Sequence, residues 1–530
     1  MTSKSVINVT APPAPAELHV PDPRELLQKG VVFRPEEFRG PRRRVLFVVP
    51  PGSVEMNYGR LASAATELPW LGMAYVASAA RITGHDVRVV DYEIFHQGYE
   101  VVARDIADFE PDVVALALFI NNVDRCLRVA RIAKEFNPKM RVVLGGPQAT
   151  IFPDQTITHD DVDAIVISEA EISFCRLLSA FENEAALARV NGIWFKDRDR
   201  QVVKTARQPL IQELDSIPAP ALDLYPMDRY YPAIHILGNR VANYVTSRGC
   251  PYECTFCEAK MTFGRTFRYH TPDRVIADLN YLNDRYGFDS FQFYDDIFTT
   301  NRKRVLALCE RLLSNGRHYR WMCFTRTDLV DPELCRMMKR AGCYLIVFGC
   351  ESGEQKLLDL IRKKLTVRKN FEGIRIAHEA GIRTLSSFML GLPTETPEQS
   401  RKTISFAVES KLDYAVFPIF EPYPGTEIWE DAIKHGYFID VGEHQNHLLQ
   451  NFDKIWVPKD RTREEVEQVA REAFRRFYLR PKTLWTWIRN ARQMPLRRLL
   501  RFAWSGIYYF LIASTVEEVG KYRGRGSRYS

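Results

Sequence analysis

The sequence contains little cysteine, no internal repeat and no long apolar run. Ten cysteines in 530 residues are too few for a disulfide scaffold, so we expect thiols or metal ligands in a reducing compartment. Seven cysteines sit singly in apolar surroundings and are predicted to be small buried side chains: Cys126, Cys175, Cys309, Cys323, Cys335, Cys343 and Cys350. The first 40 residues show no cationic start followed by an apolar core, so no secretory signal is predicted. These absences predict a cytoplasmic protein.

A strong excess of one charge is also missing. The 73 Lys and Arg residues against 66 Asp and Glu give a net charge of +7, and much of that excess follows residue 470. The charge therefore does not indicate a nucleic-acid partner. A hydrophobic content of 46% is typical of a folded chain. Since a single core rarely grows beyond about 250–300 residues, we expect several domains.

Short apolar runs alternate with amphipathic stretches over residues 41–200. The runs VLFVVPP, VRVVDYE, VVALALF, RVVLGG and AIVIS are β-branched and nearly continuous, which is typical of strands buried on both faces of a parallel sheet. Stretches such as LGMAYVASAARITG carry apolar residues at helical spacing. The pattern predicts a doubly wound, Rossmann-like α/β domain, whose ligands would bind at the carboxyl ends of the strands.

Glycines and polar residues follow the predicted strands of this first domain. Gly145, Gly146, Pro147 and Gln148 come after the fourth strand, and Ser168 and Glu169 come after the fifth. Paired glycines allow a ligand to approach the backbone closely. A tight turn would need the same residue types, so the residue pattern is compatible with both interpretations.

A second series of strand and helix patterns covers residues 241–435. It follows a proline-rich segment over 201–240 that lacks periodicity and is predicted to be a linker. Six consecutive units predict a partial (β/α)6 barrel of the TIM type, with its active site at the carboxyl ends of the strands. Distinctive residues end the six strands: Cys250, Asp295 with Asp296, Arg326, Glu351 with Ser352, Gly391 to Glu395, and Pro422 to Thr426.

Three cysteines lie within the eight residues that end the first barrel strand, in the segment CPYECTFC. Cys250, Cys254 and Cys257 provide one ligand too few for a closed zinc site, which His270, 13 residues further on, could complete. Alternatively, the three thiolates hold three irons of a 4Fe-4S cluster and leave the fourth iron open. Their place at the functional face of a barrel favours the cluster, because structural zinc usually stabilises small units without a core.

The spacing of these cysteines, with Phe256 before the third, resembles the radical S-adenosylmethionine (SAM) superfamily. The resemblance implies that the open iron binds SAM and that cleavage of SAM gives a 5′-deoxyadenosyl radical. It implies SAM contacts for Phe256, for Asp295 or Asp296, for Glu351 and Ser352, and for Gly391 and Glu395. Strand alternation predicts that only one of the two aspartates points into the site. Arg326 is predicted either to pair with a carboxylate or to form a salt bridge at the rim.

The order of the two domains resembles the cobalamin-binding branch of this superfamily, to which ELPWLGMAYVASAARITGHDV and VVLGGPQAT are similar. The resemblance implies cobalamin contacts for Gly145, Gly146, Pro147, Gln148, Ser168 and Glu169. The Asp-x-His-x-x-Gly motif is absent around His85, His96 and His159, so cobalt would have no histidine ligand. In ISEAE, serine and alanine replace glycines usual in the branch. A front domain kept only as a scaffold is therefore the alternative.

The resemblance implies a C-methyltransferase that acts on an unactivated carbon of a small-molecule or lipid-like metabolite, with a one-electron donor such as flavodoxin or ferredoxin. An oxidative cyclase with the same cofactors is the alternative. A non-catalytic cobalamin and iron-sulfur sensor is less favoured, because it would not need a SAM pocket. A tRNA methylthiotransferase is also disfavoured, since such relatives carry a second cysteine trio in the front domain, where this chain has Cys126 and Cys175.

The strand and helix alternation stops after residue 435, and a helical C-terminal region is predicted for residues 436–530. REEVEQVAREAFRRFYLRP has the pattern of a charged amphipathic helix. The apolar segment WSGIYYFLIA is shorter than the about 20 residues that a membrane span requires. Its aromatic and arginine-rich surroundings suit an interfacial helix at a membrane or a helical cap on the barrel. Residues 1–40 are predicted to be an N-terminal extension.

Overall fold

The computed structural model describes residues 31–52, 68–230, 237–238, 240–440 and 454–481. Its front sheet has seven strands in the order β2-β1-β3-β4-β5-β6-β7. The strands are β1 Arg44–Val49, β2 Asp86–Asp91, β3 Val113–Ala117, β4 Arg141–Gly145, β5 Ala164–Val166, β6 Ile193–Lys196 and β7 Val202–Lys204. Strands β1 to β5 pair in parallel, as the near-continuous apolar runs predict.

Among the described residues, seven helices accompany the front sheet. They are α1 Leu71–Ile82, α2 Tyr99–Phe109, α3 Val123–Phe136, α4 Pro147–Ile151, α5 Pro153–Thr158, α6 Ala170–Ala180 and α7 Glu184–Leu187. Strands β6 and β7 pair antiparallel and extend this sheet. Strand β7 therefore lies within the segment 201–240 predicted as a linker. Its three residues are largely exposed, so no hydrophobic periodicity indicated a strand.

The second sheet has six parallel strands in the order β15-β14-β13-β12-β11-β8. They are β8 Val241–Tyr244, β11 Ser290–Phe293, β12 Arg320–Thr325, β13 Cys343–Glu351, β14 Arg383–Phe388 and β15 Tyr414–Val416. Short antiparallel pairs add β9 Ser247–Arg248 with β10 Arg268–Tyr269, and β16 Gly436–Asp440 with β17 Lys454–Pro458. The second pair lies in the C-terminal region 436–530 predicted to be helical, so the described part of that region contains two strands besides its helix. Within the described residues, β8 and β15 are the two edges of this sheet, so the barrel is open.

In the described part of the chain, nine helices belong to the barrel and to the segment after it. They are α8 Ala259–Phe263, α9 Pro272–Tyr286, α10 Arg302–Ser314, α11 Pro332–Arg340, α12 Gln355–Leu360, α13 Val367–Glu379, α14 Pro397–Glu409, α15 Ile428–His435 and α16 Arg463–Tyr478. Six of them begin after a residue whose side chain accepts a hydrogen bond from the first turn: Thr271, Asn301, Asp331, Thr366, Thr396 and Thr462. These caps explain why the six helices start where they do.

One apolar cluster extends through both domains. It contains Phe47 and Ala74 of the front domain together with Tyr244 and Phe293 of the barrel. The seven cysteines outside the CPYECTFC segment are buried, as predicted. Because burial of apolar surface is the main stabilising contribution to folding, this common cluster holds the front domain against the barrel.

Helix α16 covers the edge strand β15. The Tyr478 hydroxyl donates to the Ala415 carbonyl at 2.7 Å and accepts from the Ala415 amide at 3.3 Å. Val469, Ala473 and Phe477 of this helix are buried in the large apolar cluster. The amphipathic helix predicted for this segment is therefore present and packs on the barrel. The aromatic residues predicted for a membrane surface, Trp485 to Tyr509, lie outside the described residues.

None of the helices in the described part of the chain combines the length and the apolar content that crossing a membrane requires.

Candidate active site

The cysteine loop begins at Gly249, and backbone contacts with neighbouring segments hold it in place. Gly249 has a φ of 86°, and a side chain there would overlap the carbonyl oxygen of Thr266. The Thr255 amide donates to the Ile361 carbonyl at 3.1 Å, and the Thr255 carbonyl accepts from the Ile428 amide at 3.1 Å. The loop is therefore anchored at its centre to two other segments at the strand ends of the barrel.

The three thiols of this loop are partly buried and close enough to influence one another. Burial raises the pKa of Cys250 to about 11 and that of Cys257 to about 12, and the neighbouring thiols contribute to both shifts. Among the described residues, no three His, Cys, Asp or Glu side chains converge as one metal ion requires. In an iron-sulfur cluster each thiolate binds a different iron, and the donor set of three thiols fits that group.

His270, the alternative fourth ligand for zinc, binds the linker instead. Its Nδ1 lies 2.9 Å from Oδ1 of Asp215, and its amide donates to the Thr246 carbonyl at 2.9 Å. Burial lowers the pKa of His270. This ring therefore joins the linker to the barrel.

The two aspartates after β11 point in different directions, as strand alternation predicts. Asp295 is buried and accepts hydrogen bonds from the amides of Thr246 at 2.5 Å and Ser247 at 2.9 Å. Asp296 lies at the strand end, where part of the residue is open to solvent while protein surrounds its carboxyl group, and its charge contributes to the raised pKa of Cys250. Desolvation and the neighbouring Asp295 raise the pKa of Asp296 to about 6. Asp296 is thus the carboxylate that faces the cysteines.

Glu351 forms a buried ion pair that the sequence did not reveal. The Nζ atom of Lys363 donates to Oε1 of Glu351 at 2.9 Å and lies 5.8 Å from the ring centre of Phe256. A Cβ atom at Gly349 would come within 2.6 Å of that carboxylate oxygen, so glycine leaves space for the pair. Lys363 lies in the basic run IRKK, and such a run ordinarily indicates a solvated surface.

Ser352, Gly391 and Glu395 are engaged in holding their own loops. The Ser352 hydroxyl lies 3.0 Å from the Thr403 hydroxyl and is fully buried. Glu395 accepts hydrogen bonds from the amides of Gly391 at 2.6 Å and Leu392 at 2.7 Å. Gly391 has a φ of 82°. Contacts of these three residues with SAM stay a prediction, whereas the hydrogen bonds by which they hold their loops are present in the structure.

Arg326 is buried beneath the cysteine loop and is not at a rim. Its guanidinium forms two hydrogen bonds with the Asp328 carboxylate, at 2.9 and 3.0 Å, and one with the Lys363 carbonyl at 2.9 Å. It also stacks on the Tyr252 ring at 3.8 Å. Arg326 therefore supports the start of the loop.

In the front domain, the loop from Gly145 to Gln148 connects β4 to α4. Gly146 has a φ of 92°, and a Cβ there would lie 2.9 Å from the Leu118 carbonyl oxygen. Pro147 is the first residue of α4, and the Gln148 amide donates to the same carbonyl at 3.1 Å. A Cβ at Gly145 would meet only the Val166 carbonyl oxygen at 3.8 Å. The backbone at Gly145 is thus accessible, which fits a large ligand over the strand ends.

Ser168 and Glu169 both face the barrel. Ser168 has a φ of 67°, and its hydroxyl donates to the Thr262 carbonyl in α8. Buried Glu169 accepts from Arg268 at 2.8 Å, from Arg248 at 3.2 Å and from the Ile211 amide at 2.9 Å. The Glu169 carboxylate therefore joins the two domains, and its predicted contact with cobalamin remains a prediction.

The two candidate sites meet at helices α4 and α8. Ile151 and Phe152, at the end of α4, pack on Met261 of α8 in one apolar cluster. Helix α8 begins at Ala259, directly after the cysteine loop, and α4 begins directly after Gly146. The loop predicted to bind cobalamin and the loop predicted to bind the cluster are therefore neighbours. Sequence patterns carry no sign of this contact, because its two helices are five residues long each.

Comparison with known families matches residues 244–407 to the Radical SAM superfamily and residues 59–178 to the B12 binding domain. An uncharacterized methyltransferase of Pyrococcus horikoshii is 34% identical over 442 residues, which cover 83% of this chain and 94% of that protein. The anaerobic magnesium-protoporphyrin IX monomethyl ester cyclase of Cereibacter sphaeroides is 31% identical, with 82% and 70% covered. The hopanoid C-3 methylase of Methylococcus capsulatus is 26% identical, with 68% of each chain covered.

A solved structure with a similar fold is the radical S-adenosylmethionine methyltransferase TsrM of Kitasatospora setae, with cobalamin and a [4Fe-4S] cluster bound. The TM-score is 0.62 at 17% sequence identity, and the match covers 74% of this chain and 75% of that chain. At this identity the likeness concerns the fold.

Proposed function

Because this chain belongs to the radical SAM superfamily, in the branch with a B12 binding domain, we propose that it is a cobalamin-dependent C-methyltransferase. Its substrate is a small-molecule or lipid-like metabolite, which it methylates at an unactivated carbon. Cys250, Cys254 and Cys257 would hold the 4Fe-4S cluster, and the strand-end loops of the front sheet would hold cobalamin. When bound, the cluster supplies the electron that cleaves SAM, and cobalamin carries the methyl group.

The contact between α4 and α8 is the observation that carries this proposal. Methyl transfer to a carbon radical requires the methyl carrier and the radical source to lie beside the same substrate. Ser168, two residues after β5, donates a hydrogen bond to the carbonyl of Thr262, five residues after Cys257. A front domain with no catalytic role would not need its ligand-binding edge against the cysteine loop.

The protein's own part in the reaction is to bind and orient SAM and to exclude water. In the proposal, Asp296 accepts hydrogen bonds from the amino group of SAM, and Glu351 accepts hydrogen bonds from its ribose hydroxyls. Phe256 packs in the apolar cluster around Leu357, Leu392 and Trp456 and presents an apolar surface for the adenine. A water-excluding site strengthens these electrostatic contacts and protects a reactive radical.

An oxidative cyclase is the second candidate function. It is favoured by the 31% identity to the anaerobic cyclase of Cereibacter sphaeroides and would use the same cofactor sites. A lipid-like substrate is favoured by the similarity to the hopanoid C-3 methylase. Both functions need a one-electron donor, and we propose a flavodoxin or a ferredoxin. A lipid-like substrate also favours peripheral membrane contact through the C-terminal region beyond residue 481.

Anaerobic reconstitution with iron, sulfide and hydroxocobalamin tests the cofactor sites. We expect about four irons and about one cobalt per chain. The triple variant Cys250→Ala/Cys254→Ala/Cys257→Ala should lose the iron and keep the cobalt. Zinc in place of iron, or cobalt lost together with iron, would contradict the proposed arrangement.

Product analysis separates the two candidate functions. The reconstituted protein is incubated with SAM and a reductant, with a hopanoid lipid and magnesium-protoporphyrin IX monomethyl ester as alternative probes. A methyltransferase forms S-adenosylhomocysteine and 5′-deoxyadenosine in equal amounts, because one SAM gives the methyl group and a second gives the radical. A cyclase forms 5′-deoxyadenosine without S-adenosylhomocysteine.

A further inference from the structure

Four residues between α12 and α13, Ile361 to Lys364, form a strap across the cysteine loop. Arg362 has a φ of 47° and Lys364 a φ of 52°. Residues other than glycine rarely adopt this left-handed backbone conformation, and they keep it only where surrounding contacts fix the backbone. The strap is therefore held in place by contacts on several sides.

Each of the three consecutive cations in the strap binds a carboxylate on a different segment. The pairs are Arg362 with Glu427 at 2.6 Å, Lys363 with Glu351 at 2.9 Å, and Lys364 with Glu253 at 2.8 Å. These carboxylates belong to the residue before α15, to the end of β13 and to the cysteine loop. The strap thus connects the cysteine loop to two of the segments that build the SAM site.

The strap also binds the two residues that flank Cys254. Lys364 pairs with Glu253, and the Ile361 carbonyl accepts a hydrogen bond from the Thr255 amide at 3.1 Å. The position of Cys254 therefore depends directly on the strap.

Lys363 differs from its two neighbours in burial. The side chains of Arg362 and Lys364 are 59% and 62% exposed, whereas that of Lys363 is 8% exposed. Solvent screens exposed ion pairs strongly and buried ones much less. The Lys363 ammonium lies 2.9 Å from the Glu351 carboxylate and 5.8 Å from the ring centre of Phe256, the residue before Cys257. A buried ion pair keeps both partners charged, so the field of this ammonium reaches both Glu351 and the cysteine loop.

We propose that Lys363 is a positioning residue for two sites at once. It holds the Glu351 carboxylate in the orientation that SAM requires, and its charge raises the reduction potential of the cluster bound by the three cysteines. A nearby cation stabilises the cluster state that carries one more electron. This inference rests on the proposed sites for the cluster and SAM and is independent of whether the reaction is methylation or cyclisation.

Two variants of the buried pair, one that removes its cation and one that removes its anion, distinguish this role from a purely structural one. Lys363→Met removes the cation, so the reduction potential of the cluster should fall. Glu351→Gln removes the anion and leaves the cation uncompensated, so the potential should rise. Looser packing would move the potential of both variants in the same direction. Both variants should bind SAM several-fold more weakly than the wild type, since each removes one partner of the pair.

The measurement is a dithionite titration of the anaerobically reconstituted full chain, followed by electron paramagnetic resonance in the absence of SAM. Equilibrium binding of SAM is measured on the same preparations. Lys369→Met, at an exposed lysine of α13, is the matched control and should match the wild type in both readouts. Lys363→Arg keeps the charge, so the reduction potential of its cluster should stay close to that of the wild type.

Two outcomes would overturn the proposal: a potential in Lys363→Met equal to that of Lys369→Met, or equal directions of shift in Lys363→Met and Glu351→Gln. If Lys363→Met does not retain iron, Glu351→Gln and Lys363→Arg carry the test, and a potential that does not rise in Glu351→Gln contradicts the proposal. The iron content of the wild-type chain separates a failure of this inference from a failure of the cofactor assignment.

Discussion

Individual carboxylates at the strand ends are fixed by several donors at once. Glu395 accepts from two backbone amides and from the Ser400 hydroxyl at 2.7 Å. The Ser400 hydroxyl in turn accepts from Arg461 at 3.1 Å. A buried acceptor of this kind satisfies amides that no regular secondary structure can satisfy. The Gly391 turn therefore depends on one side chain.

Replacing Glu395 by alanine should destabilise the protein. The variant leaves the buried amides of Gly391 and Leu392 without their acceptor, and each unsatisfied buried group costs about 1–3 kcal/mol. We expect the free energy of unfolding to fall by about 2–4 kcal/mol in chemical denaturation. Glu398→Ala, at a side chain that is 74% exposed, is the control and should change it by less than about 0.5 kcal/mol. Equal values for the two variants would contradict this role.

Glu421 should make the stability depend on pH. Its carboxylate accepts from the Trp456 amide at 3.2 Å, and burial raises its pKa from 4.5 to about 8. The folded state therefore binds the proton more tightly than the unfolded state. This contribution to stability is fully present below pH 4.5 and is lost as the pH rises through about 8.

Glu421→Gln keeps an acceptor for the Trp456 amide and removes the titration. Denaturation at two pH values should show a variant that is more stable than the wild type at about pH 9 and that has no such advantage at about pH 4. Glu430→Gln, at an exposed position of α15, should not change the pH dependence. An equal advantage of Glu421→Gln at both pH values would refute the assignment.

Sequence reasoning located the cysteines and the alternation of Asp295 and Asp296, because both follow from local spacing along one strand. It did not identify the partners of buried charges. Glu169 follows a strand of the front sheet, yet its partners Arg248 and Arg268 lie 79 and 99 residues away. For the same reason, the sequence did not distinguish Lys363 from the other cations of its basic run. A buried ion pair is defined by contacts between distant segments, and hydrophobic periodicity does not record such contacts.

At the scale of elements, the sequence indicated the strands that lie in buried apolar runs and did not indicate strands that are exposed or only two residues long. The six barrel strands and the five parallel front strands are apolar runs that a residue pattern can indicate. Strands β9 and β10 have two residues each and pair antiparallel beside the cysteine loop. A strand of two residues is too short to show an alternation of apolar and polar side chains. The structure, and not the sequence pattern, therefore shows that Arg248 and Arg268 lie opposite each other on this short pair.

Tyr478→Phe should weaken the cover of the barrel edge. The phenol hydroxyl bonds both the amide and the carbonyl of Ala415, and in the variant helix α16 would still shield these groups from water. We expect a loss of about 1–3 kcal/mol in the free energy of unfolding, measured by chemical denaturation. Tyr437→Phe, at a side chain that is 41% exposed, should be close to neutral. A loss no larger than that of the control would show that the hydroxyl has no such role.

At the scale of the whole molecule, a buried ion network joins the two domains. Arg248 binds Glu169 at 3.2 Å and Glu171 at 2.6 Å, while Arg268 binds Glu169 at 2.8 Å. All four side chains are buried. Removing one partner of a buried pair costs about 3–5 kcal/mol, because the remaining charge is left uncompensated. One member of the network, Arg248, lies two residues before Cys250, at the start of the cysteine loop.

Arg248→Met should separate the unfolding of the two domains. The variant leaves the Glu171 carboxylate buried without its arginine, which weakens the interface more than either domain. Differential scanning calorimetry should show one cooperative transition for the wild type and two for the variant. Arg131→Met, in an exposed pair with Asp161, should retain the wild-type profile. A single transition at the wild-type temperature in Arg248→Met would mean that the common apolar core alone couples the domains.

The hydrogen bonds between Tyr478 and Ala415 also impose an order in time on the newly made chain. Ala415 leaves the ribosome first, and Tyr478 follows 63 residues later. At a synthesis rate of about 5–20 residues per second, this delay lasts about 3–13 s. During that time strand β15 is an uncovered edge that can pair with other nascent chains. Slower translation of the segment between these residues should therefore lower the yield of correctly folded protein, whatever the stability of the finished molecule.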